Sequence, residues 1–336
     1  MTSRRLRPSL SSALVALPVL ALVGLAAGAC SSAGPASAGG VVTSFYPLQF
    51  ATQQIVGDHQ QVGVLTKPGA EPHDLELAPQ DLAAMTKARL VVYADGFQPA
   101  VDDSMGQVDA ARVLDVAGAA RLTLPASEDG HDHPGEGTEG QADASGESPA
   151  GDAHASGDGH EHGADDPHFW LDPARYADVA KAIGARLAHD DPANAATYEK
   201  NTAAFVGRLT ALDAEYRTGL ASCRSTVLVT SHSAFGYLAQ RYGLDQHGIT
   251  GISPEAEPSA AGLKQVSDLV QSQGVTTIFQ ETLTEPQLAD TVARTTGATV
   301  ATLDPVEGIT GASAGTDYFE VMRSNLTALQ KGLGCQ

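Results

Sequence analysis

The sequence predicts an α/β protein of two lobes, each with a mainly parallel sheet flanked by helices, joined by one long spine helix. Three observations carry this. Short β-rich runs alternate with helix-like stretches in both halves of the chain, the pattern of βαβ units. One apolar stripe runs unbroken from the Asp191-Pro192 pair to Leu220, too long for a helix confined to a small domain. The alternation is interrupted once, by about forty residues with no aliphatic run able to bury surface.

In order, Val41 to Phe45 reads as a strand, Leu48 to Val56 as a helix and Gln61 to Leu65 as a second strand. Pro79 to Ala88 opens with proline near a helix start and spaces Leu82 and Met85 helically. Leu90 to Tyr93 is a buried strand bounded by Asp95-Gly96; Ala100 to Met105 is a short helix and Ala111 to Val116 a strand. Residues 127–165 hold Gly, Ser, Ala, acid and His and read as a disordered loop. Arg175 to Ala188 is a helix. Asp191-Pro192 then supplies a cap with proline at the first helical position, and Tyr198, Phe205, Leu209, Leu212, Tyr216 and Leu220 follow at helical steps. Such a helix runs about 40 Å and serves as a spine between lobes. Beyond it, strands at Ser225 to Thr230, Val275 to Phe279 and Thr299 to Leu303 alternate with helices at Ala234 to Tyr242, Ser259 to Gln273, Pro286 to Thr296 and Asp317 to Lys331. The predicted boundaries are 41–189 for the first lobe, 190–220 for the spine and 221–336 for the second lobe.

The first 29 residues read as an export signal. Arg4, Arg5 and Arg7 precede an apolar run that closes on Ala27-Gly-Ala-Cys30. That segment resembles a bacterial lipobox, in which Cys30 takes a lipid and residues 30–40 form a tether; a retained transmembrane anchor is the alternative. Cys223 and Cys335 remain as an even pair in an oxidising compartment, which predicts a disulfide rather than two separate thiols. The formal net charge is −20. Twelve of the excess acids lie in residues 127–166, which carry no Lys or Arg. Nothing is basic enough to bind nucleic acid by neutralising phosphates.

Three histidines stand in turn-like settings: His73 in Glu71-Pro-His-Asp74, His168 in Asp166-Pro-His-Phe-Trp-Leu-Asp-Pro173 and His232 in Ser231-His-Ser-Ala-Phe-Gly236. His232, Glu281 and Asp304 all fall just past predicted strands, where ligands bind in open α/β sheets. Two lobes facing across a cleft would bring these groups together. Three imidazoles with the Asp304 carboxylate make a compact set suited to Zn²⁺, and the low oxygen share disfavours manganese. Glu281 is the rival fourth ligand, or an acceptor that fixes a histidine tautomer. Taken singly, each histidine is more often a hydrogen-bonded structural residue. His59, His189 and His247 lack such settings and read as surface or structural. Trp170, the only tryptophan, reads as core packing beside His168.

With Arg241-Tyr-Gly-Leu244, Gly251-Ile-Ser-Pro-Glu-Ala-Glu-Pro258, Ile278-Phe-Gln-Glu281 and Leu303-Asp-Pro305, these stretches span residues 41–332 in order. Together they resemble the zinc/manganese-type solute-binding lipoproteins of bacterial ABC importers. The resemblance implies two α/β lobes on a rigid helix, His73, His168, His232 and Asp304 as ligands of a Zn²⁺ ion between them, and a membrane permease as partner of a monomeric, lipid-anchored receptor without enzyme activity. The acidic insertion, with His131, His133, His154, His160 and His162, resembles that of zinc-specific members and acts either as a weak auxiliary zinc scavenger or as a solvated spacer. The first motif continues as Leu75-Glu-Leu where many relatives have Glu-Pro, which leaves the shape of that loop open. Two rival classes remain: a zinc hydrolase, which needs an open coordination position but shows no His-Glu-x-x-His pair, and an extracytoplasmic metallochaperone or adhesion lipoprotein. The spine limits wide hinge closure, so release of the ion is expected to depend on loops around His73 and His168.

Overall fold

The computed structural model describes residues 39–126, 165–283 and 286–336. The first lobe runs β1 (Val41–Thr43), α1 (Tyr46–Val56), β2 (Val62–Val64), α2 (Pro79–Lys87), β3 (Leu90–Tyr93), α3 (Pro99–Asp102), β4 (Val113–Asp115) and α4 (Ala117–Ala120). Its strands are parallel, in the order β2-β1-β3-β4. All four residues of β3 are buried, because helices cover both faces of a parallel sheet. α5 (Pro173–Asp190) and α6 (Ala195–Gly219) lead to the second lobe. There β5 (Val227–Thr230), α7 (Gly236–Tyr242), β6 (Asp245–Gly248), α8 (Ala260–Ser272), β7 (Thr277–Gln280), α9 (Gln287–Thr296), β8 (Thr299–Thr302) and α10 (Tyr318–Leu333) follow. The sheet order is β6-β5-β7-β8, again parallel.

The two sheets therefore repeat one winding. In each, the chain crosses from the first strand to one side, then returns to the other, so the switch in direction falls between first and third strands. Loops after those two strands diverge there and open a crevice. The sequence misses β6, whose Asp-Gln-His-Gly carries no apolar signal and pairs only at the sheet edge. It also misplaces the start of the spine. Asp191 ends α5, and α6 begins at Ala195 behind Asn194. The Asp191 carboxylate accepts from Asn194 Nδ2 and Tyr198 Oη, both at 2.9 Å, so it braces the corner between the helices rather than capping α6.

At 25 residues, α6 is about 38 Å long. Its buried positions are Tyr198, Phe205, Leu209, Leu212 and Tyr216, the predicted stripe. Near its start Asn201 donates to the Ile55 carbonyl of α1; near its end the Tyr216 hydroxyl donates to the Met322 carbonyl of α10 at 2.6 Å. One apolar cluster runs from Phe45 and Trp170 through Phe205 to Tyr318 and Leu329, so both lobes share a core as well as a spine. Cys223 and Cys335 form a disulfide, 112 residues apart in sequence. Closing a loop of that length restricts the unfolded chain by about 4–5 kcal/mol. No helix among the described residues is long and apolar enough to cross a membrane.

Candidate metal centre

His232 lies two residues beyond β5, and Glu281 directly follows β7, its neighbour in the sheet. Strand pairing thus sets the two side by side at the switch point. The Glu281 carboxylate grips His232 twice: Oε1 accepts from the backbone N–H at 3.0 Å and Oε2 from Nδ1 at 2.5 Å. Nδ1 therefore carries a proton, and Nε2 is the ring nitrogen left to face the other donors. Glu281 takes the second of the two roles open to it in the sequence and is not one of the converging donors.

His168 is held by the same device from the other lobe. Asp166 Oδ1 accepts from its backbone N–H at 2.9 Å and from its Nδ1 at 2.7 Å. Asp166 is fixed in turn: its backbone N–H donates to the Leu124 carbonyl, and Tyr237 Oη accepts from Thr123 and Leu124 N–H. Beyond His168 the chain makes a single 3₁₀ turn, Phe169–Leu171, and Trp170 Nε1 donates across the cleft to the Pro305 carbonyl at 2.7 Å. Trp170 is fully buried, its ring 5.2 Å from that of His168, in the packing role expected of it.

His73 sits in the irregular segment between β2 and α2. Gln98 Nε2, buried after β3, donates to the Pro72 carbonyl at 3.0 Å and pins the backbone just before it. The ring stands edge-on to Phe97 at 4.7 Å. Leu75 and Leu77, in the departure from the family pattern, pack against the apolar cluster of the first lobe, which settles the loop's course.

The carboxylate that converges with the three histidines is Glu307; Asp304 is not in that group. Among the described residues His73, His168, His232 and Glu307 are the group whose ligand atoms all lie within 4.8 Å of one another. Asp304, placed at the site by sequence, turns back on its own chain: Oδ1 accepts from Val306 N–H at 2.8 Å. Asn325 holds its backbone on both sides, donating to its carbonyl and accepting from its N–H. Val306 sits at φ 59°, a left-handed conformation that a β-branched residue rarely adopts. This strained turn, tied by Asp304, Asn325 and Trp170, carries the chain three residues past the expected position and aims Glu307 inward. The missed signal was a lone Glu within the apolar Leu303-Asp-Pro-Val-Glu-Gly-Ile309.

The spacing of the four groups suits an ion. Nε2 of His168 lies 3.3 Å from that of His73, 3.4 Å from that of His232 and 3.1 Å from Glu307 Oε1. That oxygen is 3.5 Å from His73 Nε2 and 3.6 Å from His232 Nε2. A regular tetrahedron with bonds of about 2.0–2.1 Å has edges of about 3.3–3.4 Å, so these five edges bracket the required value, and the sixth, between His73 and His232, lies within 4.8 Å. The electrostatics agree with the geometry. Burial opposes charge on His232, but Glu281 and Glu307 outweigh it and hold the ring up at about 10. His168 is likewise raised against burial, by Asp166 and Glu307. His73 is lowered by burial, partly countered by Glu307. Despite burial, the three imidazoles hold Glu307 well below the usual carboxylate range. Burial, then Glu307, pushes Glu71 up to about 7.

His59, His189 and His247 lie away from this cluster. The predicted auxiliary histidines His131, His133, His154, His160 and His162, and the lipidation site Cys30, fall outside the described residues.

Fold and site together define a two-lobed α/β binding protein with a buried cage of three imidazoles and one carboxylate between its lobes. Residues 41–332 match the family described as ZnuA, the periplasmic component A of the zinc-uptake complex, and the chain belongs to that family. It is similar to the high-affinity zinc uptake system protein ZnuA of Bacillus subtilis, 34% identical over 96% of this chain and 97% of that protein. It is also similar to the zinc-binding protein AdcA of Streptococcus pyogenes, 38% identical over 86% of this chain. The chain spans about half the length of AdcA, 55%. Among solved structures, Zn(II)-bound AdcA from Streptococcus pneumoniae superposes with a TM-score of 0.68 at 32% identity, over 87% of this chain and 57% of that one.

Proposed function

We propose that this protein is the extracytoplasmic zinc receptor of an ABC importer, capturing Zn²⁺ and delivering it to a membrane permease, and that His73, His168, His232 and Glu307 are the ligands. The tetrahedral spacing of those four donors carries the reading. The relative that this chain covers almost end to end is named for high-affinity zinc uptake, which supports it. Four protein donors occupy every position of a tetrahedral ion. A zinc hydrolase keeps one position for water, so the cage favours carriage over catalysis.

The lipobox-like Ala27-Gly-Ala-Cys30 supports a lipid anchor that keeps the receptor beside its permease. The acidic, His-rich residues 127–165 support a scavenging role that raises local zinc. Deleting them should lower uptake at limiting zinc and leave it intact at ample zinc; equal uptake in both conditions defeats scavenging.

The main test is calorimetric titration of the purified chain together with X-ray absorption at the zinc edge. One tightly bound ion in a shell of three imidazoles and one carboxylate is expected. A protein that ignores zinc at micromolar levels, or a shell of three protein ligands plus water, overturns the reading.

A further inference from the structure

The cage meets water on one side. The side chains of His168 and His232 are fully buried and that of Glu307 is 1% exposed, whereas that of His73 is 9% exposed. An ion must therefore pass His73 to reach the other three donors. Beside His73 stands a carboxylate that the cage does not use. Glu71 Oε2 accepts from Asp74 N–H at 3.2 Å, but Oε1 is buried without a hydrogen-bond partner and lies 4.0 Å from His73 Nε2. A buried carboxylate oxygen without a partner is costly to maintain and calls for an explanation. It lies beside the nitrogen an incoming ion meets first.

We propose that Glu71 is a relay ligand: it and His73 hold Zn²⁺ at the mouth of the cage before His168, His232 and Glu307 close around it, and take it back first on release. The inference rests on the zinc-receptor reading and adds a path to it. Zinc suits such an exchange because its filled d shell imposes no geometry and permits a fifth ligand in passing. Each step swaps one carboxylate or imidazole bond for another. The loop is also placed to move: Gly69, at φ +80°, and Gly308 beside Glu307 face each other where the two lobes meet, and among the described residues no carboxylate clamps His73 in the way that fixes the other rings.

The test is stopped-flow measurement of zinc association and of chelator-driven dissociation in wild type, Glu71→Gln and Glu71→Asp. Glutamine keeps an acceptor for Asp74 N–H, so the loop is retained, and thermal melting of the metal-free protein checks this. A carboxylate about 6 Å from a divalent ion in water accounts for about a tenfold change. Both rates of Glu71→Gln should fall by that order, with affinity moving less than either rate, while Glu71→Asp, which keeps the charge, stays close to wild type. Zinc-edge spectra should be identical in all three proteins. Rates of Glu71→Gln equal to wild type overturn the relay, as does equal slowing of both variants. Faster dissociation alone, with affinity lost, would make Glu71 a permanent ligand and overturn it too. A wild type that takes up no zinc defeats the receptor reading instead, so the two failures are distinguishable.

Discussion

His168 and His232 come from opposite lobes yet are fixed alike: a carboxylate binds the backbone N–H and Nδ1 of each. His73 has a backbone anchor at Gln98 and an aromatic neighbour at Phe97, and lies in an irregular loop. The difference divides the cage. Two imidazoles and Glu307 form a rigid, buried half with their charges balanced before an ion arrives; His73 forms a softer half open to water. Preorganisation of the first half supports affinity, since little ordering remains to be done on binding. The second half gives the ion a way through a molecule whose lobes share one core and one spine.

The largest expected effect is the removal of a clamped ring. His168→Ala or His232→Ala should cost more than the roughly tenfold to hundredfold typical of losing a ligand's supporting carboxylate. It should also destabilise the metal-free protein by about 3 kcal/mol, because Asp166 or Glu281 is left buried and unpaired. His73→Ala should lose zinc affinity but barely shift the melting temperature, since Glu307, the buried carboxylate beside it, keeps His168 and His232 as partners. Titration calorimetry and thermal melts check both halves of the statement. Equal destabilisation by all three variants would abolish the distinction between rigid and soft halves.

Next come the clamps themselves. Asp166→Asn and Glu281→Gln keep shape and remove charge, and each should weaken zinc binding about 10- to 100-fold. Their effects should resemble each other because the two devices share one geometry. An effect confined to one lobe would show that the likeness is only formal.

Protonation separates the halves further. The His232 ring is held up at about 10 against an ordinary value of 6.5. The stabilisation from its proton is thus fully present below pH 6.5 and is lost as pH rises towards 10. Glu307, held low by the histidines, contributes in the opposite sense, above its ordinary 4.5, and its share is lost on acidification through its lowered value. The metal-free protein should therefore lose the His232 contribution between pH 6.5 and 10. Zinc must displace the protons of His232 and His168, so its affinity should climb across the same window with release of protons. Melts with chelator and with zinc should diverge as pH rises, and calorimetry in buffers of different ionisation enthalpy should register the protons. Affinity independent of pH would mean that the rings are already neutral.

The architecture could be read from the sequence because parallel strands are buried on both faces and appear as bare apolar runs, such as Leu90 to Tyr93, and because the spine carries a long helical stripe. The three histidines were legible for a related reason: each stands at a turn, behind a strand end or a proline. Asp166 and Glu281 appeared in the motifs, but a clamp depends on two hydrogen bonds to one residue, and spacing alone does not show which atoms meet. β6 was hidden by its polar composition, and the corner at Asp191 by a Pro that mimics a helix start. Residues 304–307 defeated sequence reasoning most thoroughly. A carboxylate just past a strand looks like a ligand, and no rule anticipates that a buried valine will adopt the left-handed conformation that carries the chain on to Glu307.

That stretch provides the smallest expected effect and the sharpest discrimination. Asparagine at position 304 keeps a side-chain oxygen to accept from Val306 N–H, while Asn325 continues to hold the backbone. Asp304→Asn should therefore change zinc affinity far less than the roughly tenfold to hundredfold cost of a lost supporting carboxylate. It also removes a carboxyl whose pKa is raised, first by burial, so the metal-free melting temperature should hold or rise. Glu307→Gln should do the reverse, stripping the cage of its one anionic donor. Asp304→Ala lies between: it deletes the acceptor, frees Val306 to leave its strained conformation, and lets Glu307 drift from the histidines. If Asp304→Asn abolishes binding while Glu307→Gln leaves it intact, the carboxylate at the strand end is the ligand after all. The strained turn would then be only a connection.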